Sequence, residues 1–273
     1  MDDNGELDLF SFMQQPETVV EVKPAPPLKF PLSRQELQQV ALGFLSSLKP
    51  DAVAMQVPAR YRKYQVTCAG FWRGSGREQN QVARTAVVVL YEKFERCFND
   101  CANRDKLLET LRELRSERER LEAEIRETEP ELASQDDLFS DYRTWDYASS
   151  TNTDYRKLRR KISKVQDALH QGSRLNRIHA TGVADYCYLA VPAGLVQPDE
   201  IALGWGLIYL GPERKFELIK EADPQEATPQ GRQLLAQNIA IAAGNAVCFT
   251  SGIEVHGKKV SYRKPPRKRK RLA

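Results

Sequence analysis

The sequence predicts an α/β sandwich with an antiparallel helical arm inserted into it. Three observations lead there. Short apolar segments of strand length lie on both sides of a highly charged, heptad-patterned region, an N-capped amphipathic helix precedes the first of them, and a mainly apolar helical stretch follows the last. The succession of helix, strands, helices, strands and helix suits one core of about 150 residues with attachments.

Composition sets the bounds. The chain has 273 residues, 41% hydrophobic and 29% charged, which is a soluble, globular balance. Its longest apolar runs, residues 85–91 and 239–243, fall far short of the roughly 18 needed to span a membrane. The acidic start MDDNGELD has no basic n-region or apolar h-region, so a cytoplasmic protein without membrane association is expected. Five cysteines without CxxC spacing argue for reduced thiols. Cys97 and Cys101 are spaced to share a helix face, but His170, His179 and His256 are the only histidines, and a structural zinc site is not expected.

Residues 1–30 hold six acidic and two basic side chains and read as a disordered acidic leader with prolines. Ser33 and Glu36 then form a capping box, and Leu37, Val40, Ala41, Phe44, Leu45 and Leu48 line one face of the helix it opens. Lys49-Pro50-Asp51 stops that helix. YRKYQVTCAGFW (61–72) reads as a strand and a turn follows at 74–76. TAVVVLY (85–91) is continuously apolar and β-branched, as suits a central strand covered on both faces.

Residues 103–175 form the arm. Leu107, Leu111, Leu114, Leu121 and Ile125 repeat at four- and three-residue intervals with Arg118 at a seam position. Beyond a polar connection, Tyr155, Leu158, Ile162, Val165 and Leu169 repeat the pattern, so two helices fold back on each other. Self-packing, homodimerisation through the arm and a grip on DNA all remain open. The core resumes over residues 176–250: 186–191 and 205–210 are strands, 215–219 alternates like an edge strand, and residues 232–249 suit a packed terminal helix. Residues 251–273 read as a disordered basic tail, with nine cations and no acid in 258–273.

The run DYCYLAVPAGLVQPDEIALGWGLIYL (185–210) resembles the PD-(D/E)XK nuclease-like superfamily, in particular its branch of MmcB-like DNA repair proteins. Tyr188 to Pro192, Glu200-Ile201 and Gly204 to Ile208 carry the match. VPARYRKYQVTCAGFW (57–72) looks like the strand that delivers the motif aspartate, and residues 86–100 like the segment that delivers Glu-x-Lys. The resemblance covers roughly residues 33–102 and 180–250. It implies a restriction-endonuclease-like sandwich whose carboxylates hold Mg²⁺ against a phosphate while a lysine serves the attacking water.

Laid onto this chain, the aspartate falls at about Thr67, the Glu-x-Lys pair at about Leu90 and Glu92, and a later aspartate at about Cys97. None is retained, which implies a catalytically inactive, DNA-binding pseudoenzyme with no cofactor. The alternative is an active Mg²⁺-dependent endonuclease in which Glu92 and Asp100 bind metal and Lys93 serves the water. A coiled-coil adaptor is the third reading.

Candidate nucleic-acid contacts are Arg60, Arg62 and Lys63, interleaved with tyrosines, and Lys258, Lys259, Arg263, Lys264, Arg267, Lys268, Arg269, Lys270 and Arg271 of the tail. In the leader, Glu6-Leu7-Asp8-Leu9-Phe10 resembles a bacterial sliding-clamp-binding peptide with Leu7, Leu9 and Phe10 as partner contacts, and QDDLF (135–139) is a second partial match. The expected pathway is replication, repair or mobile-element biology.

Overall fold

Six strands pair in chain order into one mixed sheet: β1 (Ala52–Pro58), β2 (Gln65–Arg73), β3 (Val82–Leu90), β4 (Tyr186–Pro192), β5 (Gly206–Leu210) and β6 (Phe216–Lys220). The computed structural model describes residues 32–60, 64–76, 80–98, 101, 103–133, 145–256 and 259–263. β1 to β3 form an antiparallel meander, β3 to β5 run parallel, and β6 returns antiparallel along the far edge. A parallel β3–β4 pair needs a crossover. The helices α2 (Phe94–Cys97), α3 (Arg104–Thr128), α4 (Thr153–His170) and α5 (Arg174–His179) supply it.

Strand alternation sorts the sheet between two apolar layers. Val87, Val89, Cys187, Leu189, Val191 and Leu207 join a core with α3, α4, α5 and the first half of α6 (Pro229–Thr250). Their neighbours Ala86, Val88, Tyr188, Ala190, Ile208 and Leu210 are buried on the other face. There α1 (Arg34–Ser47) packs through Leu37, Val40, Ala41, Phe44 and Leu45, and the Phe44 and Tyr188 rings meet edge-on at 5.1 Å. Ala86 to Val89 are buried on both faces, as expected of TAVVVLY, because β3 lies inside the sheet between two helical layers.

The capping box is formed. Glu36 N–H donates to Ser33 Oγ at 3.4 Å, and Ser33 N–H donates to Glu36 Oε2 at 2.9 Å. That backbone donor, with Arg214 and the Ser33 hydroxyl behind it, holds the Glu36 carboxyl down at about 2. Asp51 is lowered by the Arg73 N–H and side chain. Folded carboxylates of this kind give stability that is complete above their unfolded pKa, 4.5 for Glu36, and is lost as pH falls toward about 2. The melting temperature is therefore expected to decline steadily as pH drops below about 5, with a shallower decline in Glu36→Gln; a flat profile would contradict it.

Three expectations are corrected. The strand read from residue 61 begins at Gln65, and β1, unread in the sequence, precedes it; Gln56 at φ 53 interrupts the alternation that would have marked β1. The terminal helix is packed only over its first half: Leu235 and Ile239 are buried, but Val247 is 63% exposed. The tail is not featureless from residue 251, since β7 (Ile253–His256) and β8 (Lys259–Tyr262) pair as an antiparallel hairpin.

In the arm, α4 returns beside α3. Tyr155 at the start of α4 donates to Glu122 near the end of α3 at 2.9 Å, and both helices contribute to the core, through Leu108, Leu111, Leu121 and Ile125 from α3 and Tyr155, Leu158, Ile162 and Leu169 from α4. Glu129 closes the connection by accepting from Ser150 Oγ and Thr151 N–H, each at 3.0 Å. Cys97 and Cys101 do not share a helix, because α2 ends at Cys97.

Candidate functional site

The two positions that the resemblance makes metal ligands do come together, on β2 and β3, but in another chemistry. The ladder between these strands ends at Cys68–Val88. Beyond it, Thr67 Oγ1 accepts the Leu90 N–H at 2.8 Å. The hydroxyl at the aspartate position is thus spent on the backbone at the glutamate position, and the side chain there is apolar. A neutral, already bonded oxygen is a poor partner for Mg²⁺, which prefers carboxylates in octahedral geometry.

The relocated set fares little better. Glu92 lies just past β3 and pairs with Arg34 of α1 at 3.1 Å. Lys93 is exposed at the N-cap of α2 without a side-chain capping bond, and Asp100 lies outside the described residues. Cys97 is 3% exposed, and burial, with the charges of Glu200 and Glu95, pushes its thiol up to about 12. It stays protonated at neutral pH. Among the described residues, no group of three His, Cys, Asp or Glu side chains is placed to hold a metal ion.

The downstream block turns out to be packing and anchorage. Gly204 takes φ +74, Trp205 is fully buried, and a Cβ on Gly206 would stand 2.5 Å from the Tyr188 ring. Glu200 Oε2 accepts the Gln197 N–H at 3.0 Å. Its neighbour Asp199, unmarked in the sequence, pairs with Arg115 at 3.1 Å and Arg118 at 3.0 Å, while Gln166 of α4 donates to the Asp199 carbonyl at 2.7 Å. Both helices of the arm are therefore tied to this loop. Burial would raise the Asp199 carboxyl, but the two guanidiniums outweigh it and hold it below the usual range. Arg118, a polar gap in the heptad, is explained by this contact.

A second buried network joins β3, β4 and α6. Asp185, 5% exposed, accepts Thr85 N–H at 2.8 Å and Thr85 Oγ1 at 2.9 Å, and pairs with Arg232 Nη2 at 2.7 Å.

Of the basic candidates, Arg60, Lys259 and Arg263 are among the described residues, on segments that adjoin α6. Asn238 Nδ2 donates to the carbonyls of Pro58 and Ala59 at 3.0 and 3.2 Å, fastening the turn that carries Arg60 to the helix. The β7–β8 hairpin leaves the other end of the same helix. Lys259 is exposed on it, and Arg263 follows it, paired with Glu254 at 2.9 Å. Arg62, Lys63, Lys258, Lys264, Arg267, Lys268, Arg269, Lys270 and Arg271 lie outside the described residues, as do Leu7, Leu9, Phe10 and the 135–139 motif.

Two features escaped the sequence reading. The Arg84 guanidinium lies 4.1 Å above the Trp72 ring and 5.9 Å from that of Tyr186, linking three adjacent strands. A cavity of about 320 Å³ opens between α4, α5 and the loop before β5, lined in part by Asp167, His170, Asn176 and His179. His170 Nε2 donates to the Glu200 carbonyl at 2.7 Å, and burial lowers its pKa, so the ring is neutral. Neither feature has a local sequence signal, because each joins residues from separate elements.

No protein-family model matches the chain, and no curated protein resembles it significantly. Among solved structures, a protein of unknown function from Silicibacter pomeroyi aligns over 80% of this chain and 90% of its own, with 13% identity and a TM-score of 0.37. No helix among the described residues is long and apolar enough to cross a membrane.

Proposed function

We propose that this protein binds DNA through a restriction-endonuclease-like sandwich with a coiled-coil-like arm, without cutting it, in replication, repair or mobile-element biology. The observation that carries the reading is the Thr67–Leu90 hydrogen bond: at the two motif positions there is a hydroxyl bonded to backbone beside an apolar side chain. Charge supports the binding half. Residues 258–273 hold nine cations and no acid, and a basic segment of this kind pairs with phosphates by releasing counterions.

The test is to incubate the full chain with labelled single- and double-stranded DNA in Mg²⁺, Mn²⁺ or EDTA, following retention and cleavage. Retention without cleavage in every condition is expected, with Glu92→Ala indistinguishable from the parent. Metal-dependent cutting lost in Glu92→Ala would replace this reading with the active endonuclease. Absence of retention would leave the adaptor.

A further inference from the structure

We infer that the uncharged half of α6 and the apolar face of the β7–β8 hairpin form a homodimer interface, with a second copy of this chain as the occupant. The inference goes beyond nucleic-acid binding and does not depend on it.

The surface begins with sequence. Residues 233–253 contain no charged side chain, yet Ile241 is 62% exposed, and beyond Ala242 and Ala243, which still pack against the core, Val247 and Phe249 are 63% and 76% exposed. A helix apolar on all sides is ordinarily buried. The hairpin follows at once and touches the end of the helix. Gly252, at φ +73, reverses the chain at the helix end, and Arg263 N–H donates to its carbonyl at 2.7 Å, fixing the hairpin base there. A Cβ on Gly252 would come within 2.5 Å of the Arg263 carbonyl oxygen, so this junction requires glycine.

Register then sets one face of the hairpin apart. Ile253 pairs with Tyr262 and Val255 with Val260, so all four project to one side, while Glu254 and Ser261 project to the other. Val255, Val260 and Tyr262 are 59%, 51% and 79% exposed. A two-stranded hairpin is marginal alone in water and needs something packed on its apolar face. Six of the nine exposed large apolar side chains among the described residues fall within residues 241–262, and none is on α3 or α4. Helices α3 and α4 have spent their apolar seam on each other and the core.

Area and charge select a second copy. Ile241 and Val247, which flank Gly244 on one side of α6, together with Val255, Val260 and Tyr262 of the hairpin leave on the order of 500 Å² in water, within the range of the largest patch on a monomer and approaching the roughly 800 Å² per partner of a standard interface. A two-fold interface places the same patch on both sides, and an uncharged patch meeting itself strands no charge. Gly244 sits on the exposed face, and a Cβ there would meet nothing within 4 Å, so two helices can approach closely at this point.

The same open space makes Gly244→Glu a clean probe, because the isolated fold has room for the side chain. The full chain would be followed by sedimentation equilibrium from about 1 to 100 µM, a span that covers the weaker affinities of standard-size interfaces, in about 0.5 M salt to screen the tails and without nucleic acid. The parent is expected at twice the monomer mass, with a melting temperature that rises with concentration. Gly244→Glu and, separately, Val247→Glu are expected to be monomeric over that range with unchanged circular dichroism, their dissociation constants raised more than tenfold. A parent monomeric throughout would overturn the inference, as would a dimer indifferent to both substitutions, which would place the contact elsewhere.

Discussion

Replacing Asp185 with alanine is expected to lower stability by about 3 kcal/mol, the largest loss from any single substitution proposed for this fold. The carboxylate is nearly inaccessible and meets three donors at once: the Thr85 N–H, the Thr85 hydroxyl and the Arg232 guanidinium. Its removal leaves a buried amide and a partly buried cation without their partner, and breaking a buried pair from one side ordinarily costs about 3–5 kcal/mol. The Arg232 side chain is 26% exposed and recovers some hydration, which places the estimate at the lower end. For a chain of this size the melting temperature should fall by on the order of 10 °C.

Arg232→Met combined with Asp185→Ala should cost less than the sum of the two single changes, because the double variant strands no charge. Urea titration of the four proteins measures this. A loss below about 1 kcal/mol for Asp185→Ala would show that the network is incidental to stability.

The second large effect concerns binding. A chain ending at Arg263 keeps the hairpin but loses Lys264, Arg267, Lys268, Arg269, Lys270 and Arg271. If all six neutralise phosphates, the slope of log affinity against log salt on duplex DNA should become shallower by about 5. Affinity near 0.05 M salt should drop by more than tenfold, without any change in fold. Fluorescence anisotropy across a salt series reads both quantities. An unchanged slope would mean that the tail does not meet phosphate, and would shift attention to the Arg60 turn, which Asn238 holds against α6.

Much of the architecture was legible because it rests on local, periodic signals. The Ser33–Glu36 box is a four-residue cap, the runs at 85–91, 186–192 and 206–210 are short and largely apolar as strands inside a sheet are, and the two arm helices repeat at helical spacing. β1 was not legible, because the left-handed Gln56 breaks its alternation. Nor was the burial of α6, since an apolar sequence states how much surface wants cover but not how far the sheet beneath it extends.

The sequence by itself determined the α/β class, the two long helices between β3 and β4, the concentration of cations after residue 257 and the absence of acids at Thr67 and Leu90. Only the tertiary structure decided that Thr67 bonds the backbone at Leu90, that Glu92 is drawn to Arg34, that Asp199 clamps the arm through Arg115 and Arg118, and that half of α6 stands uncovered. The physical reason is range. Periodicity and capping act over a few residues along the chain, whereas ion pairs, buried hydrogen bonds and uncovered surfaces depend on which distant segments folding brings within a few ångströms.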